Sequence, residues 1–185
     1  ALRTAAATVV SARYLARREA RSVGIIGCGV QGEMNAHALA EEIPCVESFF
    51  LLDKDPERSR ALASKLRGKF SFEVRCCPSP REVLENAEIV VTATVIRRSA
   101  GVIRRGWVKE GSFYAPLELD SYWTKEALAS VDKLVTDDID QYLEYQGHGF
   151  FRGAPPVYAE LAELVRGSKP GREDDAETTM AMNIG

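Results

Sequence analysis

"GIIGCGVQGEMNAHAL", residues 24–39, spaces Gly27, Gly29 and Gly32 as G-x-G-x-x-G between an apolar run ending at Ile26 and a helical pattern starting near Val30. A strand, a glycine turn and a helix in this order are what a dinucleotide cradle requires. The first glycine permits the tight turn and the second lets a pyrophosphate approach the backbone. The third allows close helix–strand packing, while the free amides of the helix start face the phosphates. Val30 and Gln31 fall in the same loop and are counted with it as cofactor-binding. Asp53 closes the next apolar run, 21 residues after Gly32, where a carboxylate accepts hydrogen bonds from an adenosine ribose. Its charge repels a 2'-phosphate, so NAD is expected as cofactor. Lys54 and Arg58 stand close enough to leave NADP open. The bland alternative is a glycine turn followed by a solvated aspartate.

Outward from this motif, strand and helix signals alternate. "SVGII" precedes "QGEMNAHALAEEI", "VESFFLL" precedes "PERSRALASKL", and "SFEVRCC" precedes "REVLENA". "EIVVTAT", "GSFYAPL" and "KLVTDD" read as a fourth, fifth and sixth strand, with helices at "TKEALASV" and "DIDQYLEY". The expected fold is α/β: a doubly wound, mostly parallel Rossmann sheet with helices on both faces. Asp55–Pro56 and Ser79–Pro80 mark two helix starts, with Glu82 placed to complete a capping box on Ser79. An alanine-rich helix of about five turns over "RTAAATVVSARYLARREA" leads into the first strand. The tail from Gly147 onward reads as a loop, one short amphipathic helix and a polar end.

Composition narrows the function. The 185 residues suit one domain, and 45% hydrophobic against 28% charged residues is ordinary for a globular protein. No apolar run approaches the ~20 residues needed to span a bilayer. A net charge of -3 offers no general attraction to nucleic acid or acidic lipid, so a small-molecule partner is expected. The four cysteines, Cys28, Cys45, Cys76 and Cys77, contain no C-x-x-C, and there are only two histidines, His37 and His148. Neither zinc nor a disulfide framework is indicated, and a cytoplasmic setting fits. The histidines read as structural or solvated. Arg97, Arg98, Arg104 and Arg105 read as a solvated loop flanking the cleft.

"LRTAAAT" before the first strand, "GVQG" in the glycine loop and "AEIVVTAT" at the fourth strand together resemble the ornithine cyclodeaminase and mu-crystallin family, from about Leu2 to "GSKPGRED". The resemblance implies a Rossmann domain inserted into a second domain that carries substrate and homodimer contacts. Residues 1–21 would then be a linking helix, 22–167 the NAD(P)-binding domain and 168–185 a polar segment returning to the second domain. It assigns Arg3 to the substrate α-carboxylate and Thr4 to the cofactor. Thr92, Ala93 and Thr94 would line the nicotinamide side. Asp120, in "GSFYAPLELDSYW", would be the catalytic acid–base, against the alternative of a helix cap. Family cyclodeaminases usually have a glycine-rich segment there, whereas Leu119, Tyr122 and Trp123 surround Asp120. An amino-acid or imine dehydrogenase is expected ahead of a cyclodeaminating lyase or a dinucleotide-dependent binding protein.

Overall fold

A computed structural model describes residues 1–96 and 101–184. Arg97 and Arg98 lie outside the described residues. Helix α1 (Leu2–Leu15) precedes strand β1 (Ser22–Ile26), and α2 (Val30–Glu42) follows the glycine turn. Then come β2 (Ser48–Leu52), α3 (Pro56–Lys69), β3 (Glu73–Cys76), α4 (Pro80–Asn86) and β4 (Ile89–Thr92). The second half contains β5 (Phe113–Pro116), α5 (Lys125–Leu128), β6 (Lys133–Thr136), α6 (Ile139–Gly147), β7 (Val157–Glu160), α7 (Leu161–Arg166) and β8 (Thr179–Met182).

All strand pairs are parallel, in the order β3-β2-β1-β4-β5-β8-β6-β7. Alternation along the central strands sends successive side chains to opposite faces. Val23, Ile25, Ile89, Val91, Phe113 and Ala115 join residues of α1, α2, α3 and α7 in one core. Ile26, Val90, Tyr114 and Leu134 join residues of α4, α5 and α6 in the other. The doubly wound α/β expectation is therefore what the chain adopts. In these cores Ile25, Phe49 and Phe113 are fully buried, each such side chain contributing about 1.5–3 kcal/mol.

Local capping explains several boundaries. Asp55 accepts the Glu57 amide at 3.1 Å and Ser79 accepts the Glu82 amide at 3.2 Å, each before a proline in the first turn. Helix α1 spans 14 residues, about four turns rather than five, because Ala16 turns extended and leaves the remaining residues to a connection.

The C-terminal region departs from expectation in topology. Among the described residues the sheet has eight strands, not six. The stretch read as one amphipathic helix divides into β7 and α7, with no turn residue between Glu160 and Leu161 to signal the change. The supposed polar end contains β8, buried on both faces and inserted between β5 and β6. Alanine and methionine have little strand preference; the slot between two strands makes this segment extended. Residues 168–184 thus do not simply leave the domain, and α1 is packed into it through Val9, Ala12 and Leu15.

Arg172 ties these pieces together. Its Nε donates to the Leu15 carbonyl at 2.7 Å, and its guanidinium also donates to the carbonyls of Ser112 and Glu177 and to Thr179 Oγ1. Lys133 adds ion pairs at 2.9 Å to Glu173 and 3.1 Å to Glu177 while lying over the Tyr158 ring. The "KPGREDDAE" stretch before β8 is therefore a structural clasp between α1, β5, β6 and β8.

Candidate functional site

The strand order reverses between β1 and β4: the chain runs outward through β2 and β3, then returns to the other side of β1. The carboxyl ends of β1 and β4 therefore bound a crevice at the switch point, where open α/β sheets bind ligands. Gly27 adopts φ +96°, and a methyl group there would lie 2.4 Å from the Ala93 carbonyl oxygen. One at Gly32 would lie 1.8 Å from the Gly27 oxygen, whereas nothing stands within 4 Å of the same position on Gly29. Two glycines are thus required by packing, and the middle one keeps open space beside the backbone.

Helix α2 starts at Val30 with no side-chain cap at Gly29. The Glu33 amide returns to the Gly29 carbonyl at 2.9 Å, so the amides of Val30, Gln31 and Gly32 have no acceptor one helical turn back. They form a donor set suited to an anion. Gln31 Oε1 is buried without a hydrogen-bond partner.

Asp53 is built into this cradle. Its Oδ2 accepts the Cys28 amide at 2.7 Å and its Oδ1 the Asp55 amide at 2.9 Å. Each oxygen retains acceptor capacity. Lys54 and Arg58 are exposed beside it, with Arg58 Nε 3.8 Å from Asp55. Burial, then the Asp53 charge, pushes the Cys28 thiol up to about 12, which disfavours its thiolate.

Across the crevice the β1–β4 and β4–β5 ladders each continue one bond past the strands. The Ala93 amide donates to the Ile26 carbonyl at 2.7 Å, and the Leu117 amide to the Thr92 carbonyl at 2.8 Å. Ala93 and Thr94 are half-buried at this edge, but Thr92 is fully buried. Its hydroxyl donates to Glu118 Oε1 at 2.7 Å and accepts the Trp123 indole N–H at 3.3 Å. The Thr92 side chain therefore serves the protein interior, unlike its two neighbours.

Asp120 is half-buried after β5, and its Oδ2 accepts the Phe151 amide at 2.6 Å. Burial raises its pKa, although the Phe151 bond opposes the shift. The cap alternative fails, because Thr124 caps α5 by accepting the Ala127 amide. Phe151 adopts φ +57° and stacks on Tyr142 with ring centroids 4.5 Å apart. The loop read from Gly147 onward thus supplies the Asp120 partner. Leu119 holds φ +61°, a conformation usually left to glycine.

Glu118 was missed. It is 1% exposed, and burial pushes its carboxyl up to about 8 even though the Thr92 bond acts the other way. Its Oε2 has no hydrogen-bond partner. The available signal was a second carboxylate, two residues before Asp120, at a strand's carboxyl end. Asn183 was also missed: beyond β8, its amide nitrogen donates to Ser11 in α1 at 3.1 Å, leaving Oδ1 buried and unpartnered. Arg3 is exposed in the first turn of α1, and Thr4 in the same turn accepts the Thr8 hydroxyl through its carbonyl at 3.1 Å. Among the described bonds none joins Arg3 or Thr4 to Asp120 or the glycine loop. The described residues contain no cluster suited to a metal ion, and His37 lies against the Phe70 ring at 6.1 Å.

A doubly wound sheet with an uncapped glycine-loop helix and an acidic second-strand end defines a Rossmann-type nucleotide-binding domain. The chain belongs to the ornithine cyclodeaminase/mu-crystallin family, whose sequence profile it matches over residues 1–185. It is 30% identical over 196 residues to the N-((2S)-2-amino-2-carboxyethyl)-L-glutamate dehydrogenase of Staphylococcus aureus, covering 100% of this chain and 56% of that protein. To the ornithine cyclodeaminase of Agrobacterium fabrum it is 30% identical over 192 residues, with 100% and 52% covered. The Thermococcus litoralis Delta(1)-pyrroline-2-carboxylate reductase, solved with NADH and L-proline, superposes with a TM-score of 0.84 at 30% identity over 99% of this chain and 58% of that one. The chain thus spans a little over half the length of these relatives. No described helix is long and apolar enough to cross a membrane.

Proposed function

We propose that the protein is an NAD-dependent oxidoreductase acting at Cα of a small amino acid or its imine, and that this chain supplies the dinucleotide-binding part. The observation that supports the reading is the set of groups at the carboxyl ends of adjacent strands: uncapped α2 amides after β1, Asp53 after β2, Ala93 and Thr94 after β4 and Asp120 after β5. When bound, nicotinamide supplies or takes the hydride. Val30, Gln31 and Gly32 hold the pyrophosphate through their amides, and Asp53 holds the adenosine ribose. That carboxylate disfavours a 2'-phosphate, so NAD is preferred to NADP; exposed Lys54 is the cation best placed to soften the preference.

Asp120 moves a proton at the substrate nitrogen or at an attacking water. A half-buried carboxyl with a raised pKa is suited to holding and releasing a proton nearer neutrality. Arg3 binds the substrate carboxylate as a planar, bidentate donor. Its exposed position at the start of α1 leaves its guanidinium available. The relatives' greater length supports further substrate contacts, and a homodimer interface, in sequence beyond these 185 residues. The four free cysteines suit a reducing cytoplasm.

The test follows NADH absorbance and free ammonia together while the protein is given NAD and a panel of amino acids. NADH accumulating with turnover supports the dehydrogenase. Ammonia without net NADH makes the protein a cyclodeaminase. Silence with amino acids, joined to NADH consumption with cyclic imines, makes reduction its direction.

A further inference from the structure

The β4–β5 edge holds a carboxyl group that the proposed chemistry does not use. Glu118 is enclosed between the end of β4 and Trp123, bonded through Oε1 to Thr92, with Oε2 buried and unpartnered. In a doubly wound dinucleotide fold the first three strands serve the adenosine half and the later ones the nicotinamide half. Glu118 therefore lies on the nicotinamide side, behind Thr92 and beside the Asp120 turn. The two redox forms of the cofactor differ there by one charge: the oxidised ring is a pyridinium cation and the reduced ring is neutral. A carboxylate in this low-dielectric wall would attract the cation with little screening, whereas a neutral carboxyl would not.

We propose that Glu118 selects the redox form of the bound cofactor, favouring the reduced dinucleotide when its carboxyl is neutral and the oxidised one when it is ionised. This rests on the dinucleotide reading above. The surroundings leave Glu118 as the group that can respond. On β4 its neighbour is Thr92, which has no charge to offer. On β5, the Tyr114 hydroxyl oxygen accepts the Lys109 amide at 2.8 Å. Asp120 is turned to the Phe151 amide. The Tyr122 hydroxyl is held protonated, first by burial and then by the Glu118 charge itself. No described cation forms an ion pair with Glu118. Because its carboxyl sits near 8, neutral and ionised forms both occur across the ordinary working range.

The experiment measures dissociation constants of NAD+ and NADH between about pH 6.5 and about pH 9, together with protons released on binding by calorimetry in two buffers of different ionisation enthalpy. In the unmodified protein the preference should move toward NAD+ on the order of tenfold as pH rises, with proton release on NAD+ binding and none on NADH binding. In Glu118→Gln the ratio should be flat, and in Asp120→Asn the slope should persist. A flat ratio in the unmodified protein, with both forms bound, overturns the proposal alone. A slope that survives in Glu118→Gln or disappears in Asp120→Asn reassigns the proton to Asp120 and also overturns it. Should Glu118→Gln fail to fold, proton release by the unmodified protein and the Asp120→Asn slope still decide between the two carboxyls. Failure to bind either form removes the dinucleotide reading and this inference together.

Discussion

Replacing Glu118 by glutamine retains an acceptor for the Thr92 hydroxyl and a side chain of nearly the same shape, while abolishing ionisation. The carboxyl is about 8 in the folded protein, against an ordinary value near 4.3 in an unfolded chain. Below both values it is neutral in either state and pH has no leverage. Between them the unfolded chain ionises while the folded chain keeps its proton, so the folded state binds more protons and loses stability as pH rises, by up to about 1.4 kcal/mol per pH unit. Above about 8 the loss is complete. From pH 5.5 to pH 7 the contribution is about 2 kcal/mol. Urea unfolding followed by circular dichroism, on both proteins at both pH values, isolates it, because other titrating groups, including Asp120, are common to the two. Glu118→Gln should gain about 2 kcal/mol relative to the unmodified protein over that interval. An equal difference between the two proteins at both pH values would refute the argument that burial keeps this carboxyl neutral.

Gly32→Ala places a methyl group 1.8 Å from the Gly27 oxygen; it should push α2 off β1, cost about 2–3 kcal/mol in thermal or urea unfolding, and abolish dinucleotide binding. Asp53→Ala should weaken NAD far more than NADP in parallel fluorescence titrations, and equal losses would mean that Asp53 serves only the Cys28 and Asp55 amides. Arg172→Ala strips donors from the Leu15, Ser112 and Glu177 carbonyls and should cost about 3 kcal/mol, with Arg172→Lys recovering little because an ammonium cannot reproduce the fork. Asp120→Asn should lower turnover of whichever substrate the assay identifies by about 10²–10⁴-fold while leaving NADH affinity near that of the unmodified protein, so that loss of binding would mark Asp120 as a prop for the Phe151 loop.

The candidate site divides along the same physical line as the fold. Gly27, Gly29, Gly32 and Asp53 could be identified because their work is local: a turn conformation, a close helix–strand approach and a charge at a strand's end follow from residue type and spacing. Asp120 could be located at the edge, but not its partner, since Phe151 approaches from 31 residues away. Glu118 went unnoticed for a related reason. A carboxylate in a loop reads as solvated, and only the approach of Thr92 and Trp123 from neighbouring segments takes this one out of water. Thr92, grouped by sequence with Ala93 and Thr94, is set apart from them because it is the last residue of β4 and its hydroxyl is held inward by Glu118 and Trp123, whereas the two residues after it lie beyond the strand.

Alternating apolar runs and helices, the glycine spacing and the proline-marked caps were enough to specify a doubly wound sheet and the side on which a dinucleotide would bind, because each depends on contacts within a few residues. Eight strands rather than six, with β8 threaded between β5 and β6, came from packing. Its alanine and methionine residues carry no strong preference of their own, and they became a central strand because Arg172 and Lys133 fasten the preceding segment to α1 and the sheet. The ionisation of Glu118 belongs to that second category: nothing in the residue's identity predicts a carboxyl near 8, and the loss of solvent that produces it exists only once β4, β5 and Trp123 have come together.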